Sequence, residues 1–245
     1  MAWEPGLEEI PFSIPATFAK GRFRVVSVLG AGGFGTVLRC TDETRRGADV
    51  ALKVLRLSAA DALLMFKREF RSLADISHPC LVRLHELFAE DDQWFFTMEL
   101  LNGLSATRFV RGDGAGGAPT HATAFAPTQP DPSNLPASPR PGRAGDPARI
   151  RQVLEGMTEG LLHLHAQGKL HRDIKPSNVM VAGERVVLLD FGLVTDTDEV
   201  ADGRVVGTPI YMSPEQILGG DTGPESYFYS LGVTAYELLT GAPSE

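Results

Sequence analysis

The sequence predicts an α+β protein: a small antiparallel β-sheet with one helix, followed by a mainly helical region. Three observations carry this. Short runs rich in Val and Leu at 22–29, 36–41 and 50–55 are separated by Gly-rich or charged turns, as consecutive strands would be. Leu63, Phe66, Phe70 and Leu73 recur at steps of three, four and three, the spacing of one helical face. Asp146 followed by Pro147 opens a second helical pattern, which Gly168 closes.

Residues 1–20 mix Pro, Gly and acids without a period and read as an N-terminal extension. After the three strands, a helix at 61–77 precedes strand-like runs at 81–88 and 94–100, so residues 21–101 form one unit. The second unit, 102–245, is interrupted at 111–145 by a stretch of Pro, Gly, Ala and Ser. Such a stretch cannot bury enough apolar surface to offset its ordering entropy; it reads as a flexible insertion, with a docking arm as the alternative. In the helix that follows, Ile150, Leu154, Met157, Leu161 and Leu164 make the buried stripe. Strands near 179–181 and 186–189 bracket a Gly turn, and a last helix runs over about 226–239.

With 245 residues, 43% of them hydrophobic, the chain can bury a real core in one large domain or two lobes. A formal net charge of -8, without clustered Lys and Arg, argues against a nucleic-acid surface. Cys40 and Cys80 lie far apart and lack CxxC spacing, so both read as reduced and buried rather than as a disulfide or zinc site. No segment has the length of a membrane span and the N-terminus has no apolar signal core, so a cytoplasmic protein is expected.

Gly30, Gly32 and Gly35, with Gly33 between them, spell GxGxxG, a spacing shared with dinucleotide-binding folds. There a helix would follow, with an acid about 20 residues on. Here the strand-like TVLRC follows, and the residue 23 positions after Gly30 is Lys53. Glycines between two strands suit a flap whose backbone N–H groups lie over phosphates, with Val37 and Ala51 covering a flat apolar ring; a plain hairpin turn is the alternative. Lys53 sits within the apolar strand VALKV, where an unpaired ammonium is costly. Glu69 shares the helical face of Phe66 and Leu73, while Lys67, Arg68 and Arg71 point outward. Glu69 is therefore the expected partner, and the pair would set Lys53 against nucleotide phosphates unless it is an ordinary structural ion pair.

The strongest signal is HRDIKPSN at 171–178, followed by DFG at 190–192. With GAGGFGTV, VALK and GTPIYMSPE in the same order, the chain resembles the protein kinase superfamily, most closely the bacterial serine/threonine kinases of eukaryotic type. The resemblance implies a two-lobed protein-kinase-like fold and transfer of the γ-phosphoryl of ATP, with Mg2+, to Ser or Thr hydroxyls of a protein substrate. It implies that Asp173 orients the substrate hydroxyl and accepts its proton, that Lys175 neutralises the transferred phosphoryl, and that Asn178 and Asp190 hold magnesium. A transferring phosphoryl group carries dispersed negative charge, which such a cluster of acids, amide and lysines positions and stabilises. Lys175 and the GTPxY pattern at 207–211 are similar to serine/threonine rather than tyrosine kinases, with Thr208 facing the acceptor hydroxyl. For adenine, the resemblance makes Met98 the gatekeeper, Glu99 to Leu101 the hinge and Met180 the floor, and Ser105 stands where relatives often place an acid for the ribose. Arg172 suggests control by an anion on the loop between Asp190 and Glu215. Thr195 and Thr197 are candidate phosphosites, and Asp196, Asp198 and Glu199 could imitate that charge. His163 and His165, two apart on a helix, face different ways and read as packed or solvated rather than as a metal pair.

The chain departs from the family pattern in two places. Tyr227 stands where the resemblance implies an Asp that accepts backbone N–H bonds from the His171 and Arg172 region. A phenol is longer and neutral, so a looser catalytic loop is expected, with rate or melting temperature regained in Tyr227→Asp. The last helix carries Phe228, Leu231, Ala235 and Leu238 on one face and Tyr229, Val233 and Tyr236 on another, with Ser230, Thr234 and Glu237 as its polar stripe. It is expected to be buried nearly all round. Because only TGAPSE follows, an incomplete helical lobe without an arginine for Glu215 is expected, either as a fragment of a longer protein with further domains beyond residue 245 or as a truncated product with exposed apolar surface and poor solubility. The rival reading is a pseudokinase-like module that binds nucleotide or a partner without turnover.

Overall fold

The computed structural model describes residues 14–32, 35–55, 60–90, 93–113, 144–171, 173–189, 195–196, 208–220, 223 and 225–242. Its first part is a six-stranded antiparallel sheet built from β1 (Thr17–Phe18), β2 (Phe23–Gly32), β3 (Gly35–Asp42), β4 (Ala48–Leu55), β5 (Leu84–Glu90) and β6 (Gln93–Met98), in the order β1-β2-β3-β4-β6-β5. The glycines of the β2–β3 hairpin have a local cause. Gly35 has φ +139°, and a Cβ there would lie 1.9 Å from the Val54 carbonyl oxygen, so only glycine lets β3 approach β4 at this point. Register shifts between Val25 and Ser27 and between Val28 and Gly30 curl β2 over the sheet.

The sheet begins earlier than the Val-rich runs indicate. Phe18 pairs with Phe23, is buried, and meets Phe95 edge-on at 5.0 Å. Ala19 and Lys20, both at φ 52°, turn consecutive N–H groups onto the Glu90 carboxylate, at 2.7 and 2.9 Å. Two paired residues show no alternation, which is why 14–20 looked like a loose extension. Helix α1 (Ala60–Ala74) packs Phe70 against Phe96, ring centroids 5.4 Å apart, and Lys67 lies over the Trp94 ring.

Beyond the sheet, β7 (Leu104–Ser105) leads into α2 (Ala106–Arg111), a short helix with no clear period, N-capped by Ser105. Helix α3 (Pro147–Ala166) starts as predicted: the Asp146 carboxylate accepts from the N–H groups of Ala148 and Arg149, and Gly168 at φ +67° ends it. Its buried face is wider than the predicted stripe. Val153, Gly156 and Gly160 join it and Leu154 is only half-buried, because α3 rides close on β10; a Cβ at Gly156 would come within 2.5 Å of the Val186 Cβ. Strands β8 (Lys169–Leu170), β9 (Val179–Ala182), β10 (Arg185–Leu188) and β11 (Thr195–Asp196) complete the sheet structure as a β10-β9-β7 sheet and a β8–β11 pair. Helices α4 (Pro214–Ile217) and α5 (Ser226–Thr240) follow. One continuous core runs from Leu29 and Phe70 through Met157 to Leu188, and a second, around Phe18, Leu38, Leu52 and Phe95, lies on the other side of the sheet.

Helix α5 reverses the expected orientation. Ser226, Tyr227, Ser230, Thr234 and Leu238 are buried, while Phe228, Tyr229, Tyr236 and Leu239 are exposed. Two serines of the small polar face find partners inside: Ser226 Oγ donates to Glu215 at 2.6 Å and Ser230 Oγ to the Tyr211 carbonyl at 2.7 Å. Glu215, expected to lack its arginine, is thus met by a serine. Both cysteines are free and buried, and burial pushes the thiols up to about 12 for Cys40 and about 11 for Cys80. Among the described residues no helix is long and apolar enough to cross a membrane.

Candidate active site

The loop between β8 and β9 folds back on itself. A 3-10 turn at Pro176–Asn178 returns the Asn178 amide to Asp173, where Nδ2 donates to both the backbone oxygen and Oδ2, each at 2.8 Å. Lys175 Nζ lies 2.8 Å from the same Oδ2 and donates to Thr208 Oγ1 at 2.7 Å. Thr208 closes the ring, its Oγ1 and N–H donating to Asp173 Oδ1 at 2.8 and 3.1 Å. Asp173, Lys175 and Asn178 are each buried. Three of the residues singled out in HRDIKPSN and one from GTPxY are therefore joined directly, with both Asp173 oxygens held in place. With both Nδ2 hydrogens committed to Asp173, the Asn178 carbonyl oxygen is the end of that amide able to ligate a cation.

The segment leading into this loop is pinned from three sides. The His171 N–H donates to the phenol oxygen of Tyr227, so the tyrosine supplies one of the bonds expected of an Asp at that place. The His171 ring donates from Nε2 to the Leu189 carbonyl at 2.9 Å, and the Leu189 N–H donates to the backbone oxygen of Asn178 at 2.8 Å. The Tyr227 ring stacks on His165 at 4.3 Å, and burial lowers the His165 pKa, which keeps that ring neutral at neutral pH. His163 stacks instead on His78 at 4.6 Å, so the two histidines pack in different directions, as their spacing indicated.

A cleft lies between the sheet, β9 and the end of β10, lined by Leu29, Ala51, Val82, Met98, Glu99, Leu100, Leu101, Met180 and Leu189. Ala51, Met98, Glu99, Leu101 and Met180 were foreseen. Leu100 falls within the expected hinge; Leu29 and Leu189 were missed although each abuts a motif, Gly30 and Asp190, and Val82 carried no signal. Lys53 is buried on β4, two residues beyond Ala51, between Val37 and Phe96 of the flanking strands. Val37 packs into the core beside the cleft, and Gly30, Gly32 and Gly35 frame the β2–β3 hairpin tip. Ser105 is not among the lining residues; its Oγ caps α2, accepting from Arg108 N–H. Gly33, Arg172, Asp190 and Thr197 lie outside the described residues, as do the side chains of Glu69 and Thr195, and so do the expected Lys53–Glu69 and Asn178–Asp190 pairings.

The apolar cleft meets this cluster where Leu189 bonds Asn178, and a carboxylate oriented by a lysine, an amide and a hydroxyl has the positioning and charge that phosphoryl transfer to a hydroxyl uses. Residues 23–244 match the protein kinase domain family, and the chain belongs to it. It is 35% identical over 234 residues to "Serine/threonine-protein kinase pkn2" of Myxococcus xanthus, covering 90% of this chain and 24% of that protein. It is 28% identical over 229 residues to "Serine/threonine-protein kinase PrkC" of Bacillus subtilis (strain 168), and 30% identical over 249 residues to "Probable serine/threonine-protein kinase PknB" of Bifidobacterium longum. Those matches cover 91% and 94% of this chain. The chain spans only about a quarter to a third of the length of these relatives, 24%, 31% and 32%.

Proposed function

We propose that this chain transfers the terminal phosphoryl group of ATP to serine or threonine hydroxyls of a protein. The observation that carries this reading is the Asp173 carboxylate, held by Lys175, Asn178 and Thr208. An acceptor hydroxyl reaching Oδ1 beside the Thr208 hydroxyl would be oriented for in-line attack, and its proton would pass to the same carboxylate. Lys175 would neutralise charge on the phosphoryl oxygens as they leave the donor. Residues 21–101 would form the nucleotide lobe, with adenine between Ala51 and Met180, Met98 at the back and the backbone of Glu99 to Leu101 along its edge; Lys53, supported by Glu69, would reach the phosphates. Magnesium, when bound, supplies charge neutralisation on the phosphates. Asn178, through its carbonyl oxygen, and Asp190 are the residues that would hold it. A phosphoryl group on Thr195 or Thr197 would meet Arg172. Residues 102–245 would carry the protein substrate, and the dependence on ATP together with the free cysteines supports a cytoplasmic setting.

Labelled ATP with magnesium and a generic protein acceptor tests this reading. Label should reach serine and threonine, and Asp173→Asn should abolish transfer while nucleotide still binds. Nucleotide binding without transfer would instead support a module that has lost turnover.

A further inference from the structure

We propose that Arg185, at the start of β10, is a positioning residue for nucleotide binding: it clamps the cleft from outside by tying three of its walls together. This rests on the nucleotide reading of the cleft. The guanidinium makes four hydrogen bonds. Nε and Nη2 donate to the Pro79 carbonyl at 3.2 and 3.1 Å, and Nη1 and Nη2 donate to the two Glu99 carboxylate oxygens, each at 3.2 Å. Glu99 is itself fixed: Oε1 also accepts from the Arg83 N–H at 2.9 Å, and its own N–H donates to the Arg83 carbonyl at 2.9 Å.

The three elements joined in this way each contribute to the cleft. Pro79 begins the segment that supplies Val82, Glu99 begins the connection that supplies Leu100 and Leu101, and β10 runs directly into Leu189. Backbone bonds stitch the first and third elements, since Leu188 N–H donates to Cys80 O at 2.9 Å and Val82 N–H to Leu188 O at 3.0 Å. Arg185 links the connection at Glu99 to Leu101 to β10 through its side chain. A planar fork satisfies a carbonyl and a bidentate carboxylate together, which an ammonium cannot do. The side chain does not line the cleft; it would fix where Leu101 and the Glu99 backbone stand relative to Val82 and Leu189.

The test is the affinity of the 245-residue chain for the fluorescent N-methylanthraniloyl derivative of ATP, with magnesium, well below the melting temperature. Arg185→Ala should weaken binding roughly five- to tenfold, because a displaced wall costs affinity without direct contact. Arg185→Lys should recover only part of the loss. Glu99→Gln, which keeps shape and removes the charge, should weaken binding in the same direction and decides the matter if Arg185→Ala does not fold. Affinity within about twofold of the unaltered chain, or tighter binding, in folded Arg185→Ala would overturn the clamp and leave the nucleotide reading standing. No binding by the unaltered chain would overturn both.

Discussion

The backbone N–H of His171 donates to the phenol oxygen of Tyr227, which ties α5 to the segment entering the loop that carries Asp173. The Tyr227 ring lies nearly parallel to that of His165, 10° between planes, so the anchor also joins α5 to α3. Asp173 N–H donates back to His171 O at 2.8 Å, and a change at the anchor therefore reaches the carboxylate. Tyr227→Phe keeps the stack and removes the acceptor. It should cost about 1–2 kcal/mol of stability, the usual penalty for stranding a buried donor, and lower kcat. Tyr227→Asp also removes the ring from a buried site, so it should melt lower still, against the gain expected from sequence alone. Thermal unfolding and steady-state rates of the two variants check both statements.

Thr208 donates to Asp173 and accepts from Lys175, so one hydroxyl separates and aligns the two charged groups. Thr208→Val keeps the shape without the hydroxyl and should lower kcat by at least about tenfold, equivalent to ~1.4 kcal/mol of transition-state stabilisation. Thr208→Ser should restore most of it. Equal rates for Val and Ser would show that the hydroxyl is dispensable.

The cluster around Asp173 was legible because its residue pattern is local. Asp173, Lys175 and Asn178 fall within six residues, and a single 3-10 turn brings the last back to the first. The cleft was legible only where a wall adjoined a motif; Val82 looks like any core valine. Helix α5 was misread because hydropathy sends Ser226, Ser230 and Thr234 to water, whereas hydrogen bonds to Glu215 and Tyr211 draw the two serines inward and the small side chains allow close packing. Arg185 was invisible because its partners, Pro79 and Glu99, are distant in sequence.

Asp42 makes acid stability predictable. Its buried carboxylate accepts two hydrogen bonds from Arg22, at 3.1 and 2.9 Å, and the Arg22 guanidinium holds its pKa down at about 2. A depressed carboxylate pKa stabilises the fold above the unfolded value, about 3.9, and that contribution fades as pH falls through the folded value. The contribution at neutral pH is about 2 kcal/mol. Asp42→Asn should therefore melt well below the unaltered chain at pH 7, and the gap should narrow between about pH 4 and pH 2. A gap independent of pH over that range would show that shape, not charge, is what Asp42 contributes.

The outward face of α5 sets the last expectation. Phe228 is 76% exposed, and Tyr229, Tyr236 and Leu239 on the same helix and Leu218 just after α4 are exposed as well. Exposed apolar groups of this number on neighbouring elements favour association and dye binding. None of these side chains contributes to the core clusters, so polar replacement should cost little stability. Phe228→Glu and Leu239→Lys, singly and combined, should lower binding of a hydrophobic dye and shift the chain toward monomer in sedimentation, with unfolding free energy changed by less than about 0.5 kcal/mol for each. The pair spans three turns of helix, Phe228 near its start and Leu239 near its end, so a response from both positions would indicate one continuous sticky surface. Loss of dye binding from only one of them would confine the sticky surface to that end.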